Sequence, residues 1–297
     1  VAAGAIAWGE PVLASEITTV QGGRLYYRGR DAIRLAETET LEAVARLLRG
    51  GHGAALKRTE RPAPPVAGDM ATRAYLALAK RAAADPPAVG RAPLALAVEA
   101  ATLMDVLADA VAGEVMGGAI HNRLALAWGQ GPGGAGADLI RRILVLVADH
   151  ELNASAFAAR VAASTGASLS AAALAGLSTL SGPRHGGATN ERALPGFGHN
   201  LYPDGDPRAA ALLDRFAPPP GLARLAETTR AVAGLAPNVD FALVAACEHL
   251  GLPSDAPFAL FAVARCAGWI AHAIEQGQSA GLIRPRARYV GPEPERA

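Results

Sequence analysis

Apolar residues recur along this chain at helical spacing almost throughout, and only near its beginning does the period shorten. Leu41, Val44, Ala45 and Leu48 fall at i, i+3, i+4 and i+7, on one face of a helix that Gly50-Gly51 ends. The segment R61-P-A-P-P-V-A-G68 reads as a loop, and Asp85-Pro86-Pro87 separates two further Ala/Leu-rich helices. From Leu139 the run L-I-R-R-I-L-V-L-V-A148 is apolar on almost every side, as in a helix enclosed by others, and it leads straight into Asp149-His150-Glu151. Upstream, residues Glu16 to Tyr27 set Ile, Thr, Val and Tyr around Gly22-Gly23, which predicts a short hairpin before the helical body. Prolines near residues 182–183, 195, 203–207, 218–220 and 237 then break the chain into shorter helices. A part built of long helices and a more punctuated part are expected.

Composition turns this pattern into a fold class. Of 297 residues, 51% are apolar but only 5% aromatic, and alanine fills the difference, which favours close-packed helices over a sheet. An all-α fold is expected. The net charge of +1 gives no field suited to nucleic acid or an anionic membrane. Lys57 and Lys80 are the only lysines, so the cations are almost all arginine, the side chain that grips carboxylates with two parallel bonds. Cys247 and Cys266 form neither a disulfide framework nor a zinc spacing, and no secretory signal opens the sequence, so a cytoplasmic location is expected. The charge-free run from Val161 to Pro183 is long enough to cross a bilayer, yet Ala, Ser, Thr and Gly dominate it, and buried helices are expected instead.

Two nucleotide motifs are excluded. G129-Q-G-P-G-G134 has the glycine spacing of a dinucleotide fingerprint, but it follows a helical pattern and carries a proline where amides should meet phosphate; a flexible inter-helix loop is expected. No GxxxxGK sequence occurs.

Chemistry concentrates in glycine- and proline-marked turns: G182-P-R-H-G-G-A188, G196-F-G-H-N-L-Y202 with D206-P-R208, and Pro237-Asn238-Val239-Asp240. His185 and His199 sit in such segments and His150 in Asp149-His150-Glu151, all with neighbours unusual for a helix interior, whereas His52, His121, His249 and His272 carry no signature and are assigned ordinary packing or surface roles. The histidines lack metal-ligand spacing, and no nucleophile elbow or Cys-His motif is present. General acid and base chemistry remains.

The chain resembles citrate synthase over nearly its whole length. The resemblance is carried by G23-R-L-Y-Y-R-G29, D149-H-E-L-N-A-S155, S181-G-P-R-H-G-G-A188, G196-F-G-H199 with D206-P-R208, Pro237 to Asp240, F261-A-V-A-R-C-A-G-W-I-A-H272, Glu275-Gln276 and I283-R-P-R-A-R-Y-V-G291. It implies a two-domain helical fold, with residues 1–185 and 246–297 forming a large, dimer-forming domain and 186–245 a small one that closes over the site. The implied reaction condenses acetyl-CoA, or propionyl-CoA, with oxaloacetate and releases CoA, with no metal and no permanently bound cofactor. Asp240 matches the base, His185 the donor to the thioester oxygen, and His199 the group that polarises the ketone. His150, Arg208, Arg265 and Arg284 match the oxaloacetate ligands, Arg284 acting in the neighbouring subunit of a homodimer.

Some positions depart from the family pattern. The stretch between Arg28 and His150 is short, so helices of the large domain are trimmed or missing and dimer packing is affected. Asn200 and Pro203 replace basic residues suited to coenzyme A phosphates, which leaves Arg184 or Arg286 as candidate CoA ligands. Arg184 is also expected to help keep His185 neutral, and Phe241, Ala242 and Leu243 to reshape the acyl pocket. Citryl-CoA cleavage and a non-catalytic dicarboxylate or acyl-CoA sensor are the competing readings.

Overall fold

A computed structural model describes residues 12–51, 61, 63–64, 67–185, 194–279, 281–288 and 290–292. His52, parts of the 61–68 segment and residues 186–193 lie outside the described residues. The hairpin expected near the beginning pairs β1 (Thr18–Gln21) with β2 (Arg24–Tyr27), Gln21 opposite Arg24. Gly22 and Gly23 have φ of 57° and 70°, the left-handed pair that a two-residue turn between right-twisted strands requires. A two-residue strand, β3 (Arg30–Asp31), adds to β2.

Twelve helices follow among the described residues: α1 (Ala32–Thr38), α2 (Leu41–Leu48), α3 (Met70–Ala84), α4 (Pro93–Ala112), α5 (Ile120–Ala127), α6 (Ala135–Leu146), α7 (Ala154–Ser164), α8 (Leu169–Leu180), α9 (Pro207–Leu213), α10 (Pro220–Ala233), α11 (Val239–His249) and α12 (Ala256–Gln278). Local chemistry sets many of their starts. Asp31, Thr40, Asp69, Asn153, Ser168, Asp206 and Asn238 each accept a first-turn amide through the side chain, which satisfies donors a helix leaves open.

The core centres on α12, which packs against α2, α4, α6, α7 and α8. Its length and apolar content would also span a bilayer, but Val263, Cys266, Trp269 and Ile270 are all enclosed by protein. The charge-free run 161–183 becomes the end of α7 and all of α8. Leu41, Val44, Ala45 and Leu48 are buried on α2, as their spacing predicts. Inside α4, buried Asp105 and Asp109 are held between the guanidinium groups of Arg123 and Arg61 at 2.6–3.2 Å. Both cysteines are buried and free.

The 129–134 loop joins α5 to α6 with no preceding strand, in keeping with the rejected fingerprint. Flexibility was expected of it. Instead, Gln130 Nε2 donates to Leu250 O at 3.0 Å and Gly133 N to Asn122 Oδ1 of the preceding helix at 3.0 Å, so one remote and one local tie hold it.

Candidate active site

The corner between α6 and α7 positions His150, and the hairpin fastens that corner. Tyr27, fully buried, donates its hydroxyl to Val145 O at 3.0 Å, Thr18 Oγ1 donates to Asp149 Oδ2, and Val20 N donates to Glu151 Oε1 at 2.9 Å. From the other side the Gly268 amide of α12 donates to Ala148 O at 3.2 Å. Only glycine permits that approach, since a Cβ would lie 2.7 Å from the same oxygen. Glu151 takes φ of 50°, a left-handed conformation that costs a non-glycine residue about 1 kcal/mol or more. The Asn153 side chain holds this bend by donating to His150 O at 3.2 Å while it caps α7.

The second and third segments meet as a pair. Phe197 and Pro237 form an isolated antiparallel bridge, with Gly198 N donating to Ala236 O at 2.8 Å and Asn238 N to Gly196 O at 2.9 Å. Asn238 also donates through Nδ2 to Gly198 O at 3.1 Å, so the residue that caps α11 beside Asp240 also holds the strand that leads to His199. Asp206 ties in α9: it caps that helix, accepts Val239 N at 3.0 Å, and holds Arg208 through two bonds of 2.8 and 3.0 Å.

These ties bring His150, His199, Tyr202 and Arg208 together. His150 Nε2 is 2.9 Å from Tyr202 Oη, the His150 and His199 rings meet edge-on with centroids 5.0 Å apart, and Arg208 lies 5.3 Å over the Tyr202 ring. On the α12 side, buried Arg265 donates Nε to Val147 O at 2.9 Å and lies 4.5 Å over the Phe261 ring, itself 6.4 Å from the His185 ring. Asp240 lies within the field of both arginines.

Burial dominates the electrostatics. It pulls the pKa of His185 and of His199 down to about 4, aided by Arg265 for the first and Arg208 for the second, and holds His150 well below its ordinary value. All three imidazoles are therefore neutral near pH 7. For Asp240 burial raises the pKa, opposed by Arg208 and Arg265 and reinforced by Asp206. A carboxylate so placed is a stronger base than one in water.

Hydrogen bonds fix the proton of a neutral His199 and leave that of His185 to the Ser155 hydroxyl. His199 Nδ1 accepts Leu201 N at 3.1 Å, which leaves Nε2–H as its free donor. His185 Nε2 lies 3.0 Å from Ser155 Oγ, whose one proton can go either to this nitrogen or to Asn153 Oδ1 at 2.7 Å, while Trp269 Nε1 donates to the same oxygen at 3.0 Å. With the Ser155 proton turned to His185, the proton of a neutral ring sits on Nδ1, the nitrogen left for a ligand.

Several expectations need correction. Arg184 is exposed, and the depressed pKa of His185 comes from burial and Arg265, not from Arg184. Phe241 packs on Phe197 at 5.1 Å in a small cluster with Ala245, and Ala242 and Leu243 belong to the main core, so this apolar triplet supports the site and does not line an acyl pocket. Arg284 and Arg286 are exposed in the extended segment after α12, with no bond to another described residue. His272, assigned an ordinary role, is buried in a polar chain: Arg160 Nε donates to its Nδ1 at 3.0 Å, and its Nε2–H donates to Asp149 Oδ2 at 3.2 Å. Arg160 continues to Glu275 and Gln276. Ser155, Tyr202 and Asp206 lie inside the motif segments, but their ties to His185 and Trp269, to His150 and to Val239 span 30 residues or more, and nothing local reveals those. Among the described residues no cluster of His, Cys, Asp or Glu is arranged to hold a metal ion.

Comparison with known proteins places the chain in a family. The sequence model of "Citrate synthase, C-terminal domain" matches residues 114–194 and 188–286. The chain is 32% identical to "Putative citrate synthase 2" of Mycobacterium tuberculosis, over 92% of this chain and 88% of that protein. It is 34% identical to "Citrate synthase 2" of Bacillus subtilis over 57% of this chain, and there the chain spans about half of its relative, 55%. Among solved structures, citrate synthase from Thermotoga maritima superposes with a TM-score of 0.73 at 27% identity, covering 97% of this chain and 96% of that one.

Proposed function

The chain belongs to the citrate synthase family, and on that premise we propose that it condenses acetyl-CoA, or its propionyl homologue, with oxaloacetate to give citrate or 2-methylcitrate and CoA. The observation that carries this reading is the field of Arg265, which acts on a neutral His185 and on a carboxylate of raised pKa, Asp240, at once. An acid and a base of that kind are what a weakly acidic C–H beside a thioester needs.

In this reading the Asp240 carboxylate takes a proton from the carbon next to the thioester carbonyl, and His185 Nδ1–H donates to the enolate oxygen that forms. His199 Nε2–H donates to the oxaloacetate ketone, whose carbon accepts the new carbon–carbon bond as its oxygen takes up a proton. Water then cleaves the thioester, giving the free carboxylate and the CoA thiol. Arg208, Arg265 and His150 hold the two carboxylates of oxaloacetate. With the imidazoles neutral, the positive charge comes from Arg265 and from Arg208, whose Nη1 is not used in its pair with Asp206.

We extend the proposal to the assembly. Residues 186–245 act as a small domain that closes on oxaloacetate, which excludes water before the enolate forms. The exposed Arg284, on an extended segment beyond α12, completes the neighbouring subunit's site in a homodimer. Arg184 and Arg286 remain candidates for the coenzyme A phosphates, and the two free, buried cysteines suit a cytoplasmic enzyme.

Thiol release from acetyl-CoA and propionyl-CoA, with and without oxaloacetate, tests the reaction. Turnover that depends on oxaloacetate and falls by about 100-fold or more in Asp240→Asn is expected. Oxaloacetate binding without turnover of either thioester would establish the sensor reading instead, and cleavage of citryl-CoA without condensation the lyase reading.

A further inference from the structure

Arg49 sits at the end of α2, only 7% exposed, and neither its Nε nor its Nη1 has a hydrogen-bond partner among the described residues. It lines a cavity of about 580 Å³ between the segment before β1, the end of α2 and the last turns of α12. The acids on the cavity wall are already engaged. Glu16 pairs with Arg28 at 3.2 Å, and Glu275 accepts Glu16 N at 2.8 Å and pairs with Arg160. Arg28 in turn uses its Nε on Leu48 O at 2.8 Å. Among the described residues no carboxylate pairs with Arg49: burial and the neighbouring Arg46 charge pull its pKa down to about 10. A buried guanidinium without a counter-ion is a costly arrangement in a folded protein.

We infer that this cavity is a binding site for an oxyanion, a carboxylate or a phosphate group, held by the guanidinium of Arg49. Ser15, whose hydroxyl oxygen accepts Ile17 N and keeps its proton, and Gln278 on the same wall supply neutral donors. Such groups suit an anion once the Arg49 charge is present, because they add hydrogen bonds without adding a competing carboxylate. The site is separate from the catalytic cluster, since none of His150, His185, His199, Arg208, Asp240 or Arg265 lines it.

Thermal unfolding of the full chain, titrated with sodium phosphate or sodium acetate against sodium chloride at constant ionic strength, tests the inference. The wild type is expected to gain about 2 °C or more at about 20 mM of the preferred anion. A response to phosphate alone identifies a phosphate-bearing ligand, and a response to acetate alone a carboxylate. Arg49→Met should abolish the gain, and its anion-free midpoint should equal or exceed that of the wild type. Gln278→Trp, from the exposed last turn of α12, should also abolish the gain by filling the cavity with Arg49 left in place. If Arg49→Met does not fold, Gln278→Trp decides alone. An equal gain in the wild type and both variants would place the anion elsewhere and overturn the inference. So would a wild type that responds to neither anion.

Discussion

Gly176→Ala gives a direct test of the packing beneath His185, the acid of the proposed reaction. In an isolated helix the change would stabilise by about 1 kcal/mol, because glycine is the poorer helix former. In this fold a Cβ at Gly176 would meet the Trp269 indole at 2.6, 2.7 and 2.8 Å, against about 3.5–4.0 Å for normal carbon contact. The indole is fully enclosed, so α8 and α12 must separate or the ring must move by about 1 Å. Overpacking of that kind costs about 1–3 kcal/mol. The Trp269 Nε1 bond to Ser155 Oγ, 3.0 Å long, is lost as well, worth about 0.5–1.5 kcal/mol. The balance is a net destabilisation of about 1–3 kcal/mol, read as a lower urea midpoint at unchanged slope. Trp269→Leu in the Gly176→Ala background should cost less than it does alone, since the clash is then relieved. A Gly176→Ala protein as stable as the wild type would show that helix propensity wins and that this close approach is wrong.

The neutral histidines make stability depend on pH. His185 and His199 have folded pKa values of about 4 against 6.5 in the open chain, so below pH 6.5 the unfolded state binds protons first; stability should be full above pH 6.5 and fall as the pH drops towards about 4. Urea midpoints across that range check the sign, and a flat profile would refute the assignment. Asp206→Ala removes the buried partner of Arg208, the cap of α9 and the acceptor of Val239 N, and should cost about 3–5 kcal/mol by chemical denaturation. Ser155→Ala leaves His185 Nε2 and Trp269 Nε1 without their partner, and should lower kcat more than it changes KM for oxaloacetate. Equal kcat in that variant would exclude the serine from orienting His185.

Much of the fold was legible because it rests on local rules. The Gly22-Gly23 turn, the α2 face and the enclosed α6 follow from a turn type and from helical periodicity, and these are short-range. His185 and His199, assigned as acids in the proposed reaction, stood out because glycines and a proline surround them in turns, and Asp240 because it follows Pro237 at a helix start. His272 did not. It lies inside a regular apolar helix, and its role comes from Arg160 and Asp149, both more than 100 residues away, at separations of 112 and 123. Gly176 and Gly268 were equally silent, since a helical glycine looks the same whether it faces solvent or, as here, an indole or a carbonyl. Phe241 was misread for a related reason: its position beside Asp240 suggested a pocket wall, while the side chain turns away to Phe197.

That last correction bears on how specificity is divided in the proposed reaction. The groups assigned to oxaloacetate, His150, Arg208 and Arg265, are buried, and neighbours from other elements hold them through Tyr202, Asp206 and Val147 O. Altering any one of them disturbs several contacts at once, so this half of the site is constrained by the fold itself. The residues that differ from the family pattern and face outward, Arg184, Asn200 and Pro203, are exposed and carry no such ties. An exchange there changes charge at the surface and leaves the packing alone. Affinity for the coenzyme A portion that all acyl donors share can therefore drift at these positions without cost to the dicarboxylate half. A choice between acyl groups that turns on one methylene, worth about 1–3 kcal/mol, must be set at the thioester end, since a contact to the shared portion acts on both donors alike.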